Sequence, residues 1–105
     1  MSTDPAHIVN LSEFLSPPED GIISRTVFQD DQLKAVMFGV GAGQELSEHT
    51  AAKPAVMHFL SGEAEVTLGS NTVVAHAGTW IHMEAGLLHA IRTSQPTVML
   101  LLLFK

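Results

Sequence analysis

The sequence predicts an all-β domain, a small barrel or sandwich of antiparallel strands. Three observations carry this. Apolar and β-branched residues fall in runs of roughly five to eight, the length of strands rather than helices. Clusters of Gly, Pro, Asn, Asp and Ser break those runs roughly every eight to twelve residues. Nowhere does an apolar period of about 3.6 residues persist for a full helix.

Taken in order, residues 1–21 read as an irregular arm and residues 22–105 as the barrel domain. Within the arm, Asn10 to Leu15 can form one helical turn with Ser12 as its cap. Pro17-Pro18 ends that turn, and Glu19-Asp20-Gly21 reads as a bend. Strands are then expected over Ile22–Gln29 and Leu33–Val40, with Asp30-Asp31-Gln32 turning between them. Gly39, Gly41 and Gly43 suggest a bend or a close backbone approach. Val56–Leu60 is the next strand. Ala64–Leu68 and Thr72–His76 flank Gly69-Ser70-Asn71, a hairpin signal. Thr79–Met83, His89–Thr93 and Thr97–Phe104 complete the set.

The last strand does not alternate. Val98-Met99-Leu100-Leu101-Leu102-Leu103-Phe104 is apolar at every position, so both of its faces should be covered. One face can line the barrel. For the other, a second copy of the chain in a C2 homodimer is expected, with the N-terminal arm as the alternative cover. The apolar fraction of 46% and the mean hydropathy of +0.24 point the same way for so short a chain.

Composition excludes several classes. The net charge is −6, and the five Lys and Arg are scattered, so no basic patch exists for nucleic acid or for an anionic membrane. The longest apolar run is too short to span a bilayer. There is no cysteine, hence no disulfide, thiolate metal site or thiol nucleophile. The N-terminus carries no signal-peptide pattern, and a cytoplasmic protein is expected. No Gly-x-Ser-x-Gly elbow and no phosphate loop is present.

Two segments carry chemistry. Gly43-Gln44-Glu45-Leu46-Ser47-Glu48-His49, followed by Phe59-Leu60-Ser61-Gly62-Glu63, resembles the first cupin motif. Gly78-Thr79-Trp80-Ile81-His82-Met83-Glu84-Ala85-Gly86-Leu87-Leu88-His89 resembles the second. The resemblance to the cupin family covers about Gly43 to Thr93. It implies an antiparallel double-stranded β-helix, the cupin jelly-roll barrel. In that family three His and one Glu usually hold a metal on the inner wall. Here His49 and His89 match ligand positions, while Ala51 and Ala55 stand where a second His and the acid belong. Glu84 replaces the turn proline, and Thr93 the terminal Asn.

His58 and His82 are the candidates to complete the set. The cupin topology sets their strands side by side and antiparallel. Alternation from Ala55 turns Met57 and Phe59 inward and His58 outward, unless a bulge reverses the parity. Three readings follow. In the first, His49, His89 and one or both of His58 and His82 bind a divalent transition metal such as Zn, Fe, Ni, Mn or Cu. In the second, His49 and His89 line a metal-free pocket for a small molecule, and His58 and His82 face a dimer partner. In the third, all four are structural. Trp80, Met57, Phe59 and Met83 are expected in the core or the pocket wall, Glu45 at the rim with the parity of His49, Glu84 in a solvated loop or accepting from an imidazole N–H, His7 in solvent, and His76 exposed or in a structural hydrogen bond. The family resemblance implies small-molecule binding, with dioxygenation, isomerisation or decarboxylation as the chemistries if the protein turns over a substrate.

Overall fold

The computed structural model describes residues 6–105. Its strands are β1 (Ile22–Gln29), β2 (Leu33–Val40), β3 (Glu45–His49), β4 (Ala55–Ser61), β5 (Glu63–Leu68), β6 (Asn71–His76), β7 (Trp80–Met83), β8 (His89–Thr93) and β9 (Thr97–Phe104). They form two facing antiparallel sheets, ordered β1-β2-β9-β4-β7 and β3-β8-β5-β6. This is the expected jelly roll. The last strand in the chain, β9, is the central strand of the larger sheet, hydrogen-bonded to β2 on one side and β4 on the other.

The core lies between the sheets. Alternation puts Ala55, Met57 and Phe59 of β4 inward, with Met99 of β9, Met83 of β7, and Ala64, Val66 and Ile91 of the opposing sheet. Phe59 is fully buried. The hairpin forms where the sequence implies, with a turn one residue shorter: Leu68 pairs with Asn71 across Gly69-Ser70. Thr93 ends β8 buried. Its hydroxyl donates to the Gly41 carbonyl at 2.6 Å and accepts from the Gln44 amide at 3.1 Å, tying the entry of β3 to β8. The residue that replaces the motif's Asn thus has a structural duty of its own.

Two features of the sequence reading change. The helical turn is α1 (Leu11–Phe14), with Asn10 rather than Ser12 at its N-cap and no side-chain cap bond. Strand β3 is not marked by alternation, because a bulge interrupts it: Leu46 pairs with Ile91 and His49 with His89, two residues intervening on β3 against one on β8.

The arm answers part of the question posed by β9. Gly39 has no side chain because the arm crosses it: a Cβ there would lie 2.8 Å from Leu15 Cδ1 and 3.1 Å from Pro17 Cα. Arg25 of β1 fixes the arm, its guanidinium 4.2 Å over the Phe14 ring and donating to the Phe14 carbonyl at 2.6 Å. His7 also ties down, its Nε2 3.1 Å from the Val27 carbonyl and its ring against Phe28. The arm therefore covers the outer face of the larger sheet around Val98 and Leu100. It leaves the β4–β7 end of that face open. Among the described residues no helix is long and apolar enough to cross a membrane.

Candidate functional site

His49 and His89 meet. They are register partners across β3 and β8, and both turn into the barrel mouth. Parity alone would not do this for His49. Leu46 already faces inward, so His49, three residues on, would face outward on a regular strand. The bulge over Ser47-Glu48 restores it. The same bulge separates Glu45 from the parity of His49. Glu45 lies on the outer face, ion-paired with Arg92 at 2.8 Å, both side chains more than half exposed. At that exposure the pair contributes about 1 kcal/mol at most.

The hydrogen bonds of the two imidazoles fix their tautomers. His49 Nδ1 lies 2.9 Å from the Ser47 carbonyl, and His89 Nδ1 lies 2.9 Å from the Leu87 carbonyl. A carbonyl only accepts, so each Nδ1 carries the hydrogen. Each Nε2 of a neutral ring then presents a lone pair. Those two Nε2 atoms are 2.9 Å apart. Two acceptors at that distance repel unless a proton is shared between them or a cation binds both. At that separation both Nε2 atoms are near enough for one metal ion to engage them, metal–nitrogen bonds being about 2.0–2.1 Å.

His89 is buried and His49 is exposed, so the pair stands at the junction of solvent and interior. Behind it lies a cavity of about 210 Å³, walled by Phe38, Leu46, Met57, Ile91, Met99 and Leu101. Among the described residues no charged side chain lines it. The positions that carry ligands elsewhere in the family are reassigned. The Ala51 carbonyl accepts from the Gly86 amide at 2.8 Å, locking two loops together. Ala55 is buried between Met83 and Leu103, its register partners.

His58 and His82 do not join the pair. β4 runs in unbroken register with β9 from Ala55 to Phe59, so no bulge turns His58 inward. His58 pairs with Trp80, and His82 with Val56, all on the outer face of the larger sheet. A four-imidazole site inside the barrel is therefore not formed. Trp80, expected in the core or pocket wall, lies there too, 59% exposed and stacked on His82 with ring centroids 6.5 Å apart. Among the described residues no group of three or more His, Cys, Asp or Glu side chains converges as a metal site. Glu84 and His76 are exposed, as expected. Sequence reasoning missed Met99, Phe38, Leu46, Ile91 and Leu101 as cavity wall. The strand parity that finds Met57 would have found most of them.

Comparison with known proteins agrees with this architecture. A model of the cupin domain family matches residues 36–104. A conserved protein of unknown function from Streptococcus pyogenes is 31% identical, with 98% of this chain and 90% of that one covered and a TM-score of 0.85. A cupin superfamily protein from Desulfitobacterium hafniense is 20% identical, covers 99% of this chain and 93% of its own, and superposes with a TM-score of 0.84. KdgF from a Halomonas species is 17% identical, with 96% and 94% covered and a TM-score of 0.82. No match is found among curated proteins. The motifs, the jelly-roll topology and the family match together establish that this chain belongs to the cupin family.

Proposed function

We propose that this cupin binds a small organic molecule in its barrel cavity, at a metal cation held by Nε2 of His49 and His89. The observation that carries this is the pair of Nε2 atoms 2.9 Å apart, each ring's Nδ1 being engaged by a main-chain carbonyl. A carbonyl partner on Nδ1 is the usual device for aiming an imidazole lone pair at a metal. A metal held by His49 and His89 would supply a Lewis acid at the cavity mouth. The chain's own residues do the rest. The apolar wall excludes water, and at about 210 Å³ the cavity admits a ligand smaller than drug size. The absence of Lys and Arg from the lining argues for a ligand without its own carboxylate or phosphate inside the barrel.

Metal content of untagged protein tests the reading. About one equivalent of transition metal per chain is expected after dialysis, falling by at least about tenfold when His49 and His89 are both Ala. Equal metal content in that double variant would defeat the proposal. A metal-free binding module is the second reading, favoured by one observation: Ala51 and Ala55 remove two of the family's ligands. It predicts that the wild-type protein retains no metal but still binds small molecules in the cavity.

A homodimer belongs to the same proposal. The open end of the larger sheet presents Trp80, His82 and His58 beside Leu100, which pairs with His58. A second copy laid on this face about a two-fold axis would cover the ring that the arm leaves exposed. Sedimentation velocity should then give a dimer for the wild type and a monomer for Trp80→Glu. A monomeric wild type at micromolar concentration would remove the dimer.

A further inference from the structure

The cavity wall offers donors that are neither nitrogen nor oxygen. Met57 and Met99 are 1% and 3% exposed, and both line the cavity that His49 and His89 cap. Met57 is the next inward position along β4 from Ala55, where the family's acid would stand, and it pairs on β9 with Leu101, another wall residue. We infer that the metal is copper, held as Cu(I) by the His49 and His89 imidazoles together with a thioether from Met57 or Met99. This rests on the reading that the imidazole pair holds a metal, and it replaces the divalent ion that the family resemblance implies.

Two arguments converge. The first is softness. No carboxylate lines the cavity, so ions that require oxygen ligands find none. Thioethers select Cu(I) among the biologically common cations, and imidazole accommodates it. The second is charge. Two imidazoles and a thioether are all neutral, and no acidic side chain lies among the wall residues to offset the ion. The penalty for placing a bare ion in an apolar surrounding grows as the square of its charge, so a monovalent ion is disfavoured about fourfold less than a divalent one. A site of neutral donors at the mouth of an apolar cavity therefore favours the lower charge. The unbranched, flexible thioether side chain is the adaptable member of such a donor set.

The test loads the full-length protein with Cu(I) under anaerobic conditions, in competition with a chromogenic Cu(I) chelator. A parallel titration uses Co(II). The variant is Met57→Leu/Met99→Leu, which keeps the wall volume nearly constant and so keeps the fold. One Cu(I) per chain is expected. X-ray absorption should show a sulfur neighbour near about 2.3 Å, as metal–sulfur bonds require. In the double variant the sulfur signal should vanish and Cu(I) affinity fall at least about tenfold, with Co(II) affinity unchanged. Cu(I) affinity equal in both proteins, with an all-nitrogen shell, would overturn the thioether while leaving the imidazole pair in place. Failure of the wild type to bind either ion would overturn the metal reading itself.

Discussion

Gly62→Ala is expected to destabilise the protein by about 3 kcal/mol or more, lowering the melting temperature by roughly 12–24 °C. Gly62 sits where the chain leaves β4 in one sheet and enters β5 in the other, with φ at +89°. An L-residue there meets two costs. The left-handed backbone costs about 1–3 kcal/mol by itself. The added Cβ would also collide with the Pro96 carbonyl oxygen and with Thr97 Oγ1, and would lie 2.6 Å from Thr97 Cα. Two of those three contacts are backbone atoms at the entry to β9, which cannot rotate away. Gly21 provides the control. It has φ of +81° but nothing within 4 Å of an added Cβ. Gly21→Ala should therefore show only that conformational cost of about 1–3 kcal/mol, and lose less than Gly62→Ala. Circular dichroism melts of the two variants separate the contributions. Equal losses would mean that the Thr97 contact contributes nothing.

The second large effect concerns the imidazole pair. Saturating metal at about 100 times its Kd should stabilise the wild type by about 2.7 kcal/mol, a rise of roughly 10–20 °C. His49→Gln should abolish that rise. In chelator, however, the Gln variant is expected to be at least as stable as the wild type. The Gln amide can donate to His89 Nε2, which in the wild type faces a second acceptor at 2.9 Å. A structural role for the pair predicts the opposite, a loss of about 1 kcal/mol or more from a broken hydrogen bond. Thermal melts with and without chelator decide between them. A chelated Gln variant that melts well below the chelated wild type would make the pair a structural bond.

Much of this was legible in the residues. Runs and turns located every strand except β3, and the two motifs identified the barrel and both members of the imidazole pair. Parity from Ala55 gave the outward face of His58, because β4 keeps its register through Phe59. What could not be read were events that break periodicity or act at long range. The bulge at Ser47-Glu48 leaves no signature in residue types, so β3 and the true face of Glu45 were hidden. The arm's path over Gly39 depends on contacts between residues more than twenty positions apart. Trp80 was misplaced because residue type suggested burial, whereas register sets it outside with His58. The apolar character of β9 signalled that both faces are covered but not by what, since hydrophobicity has no direction.

The position of β9 has a consequence for how the molecule comes into being. Last in chain order among the described strands, β9 is the one that both halves of the larger sheet need, because β2 and β4 meet only through it. On the ribosome, β1-β2 and β4-β7 can each pair as soon as they emerge, but each waits with an unsatisfied edge until Thr97–Phe104 is released. Completion of the larger sheet therefore comes only after its other four strands have been made. The interval before it is the time at which a nascent chain of this sequence is most open to capture by a chaperone or by another copy of itself.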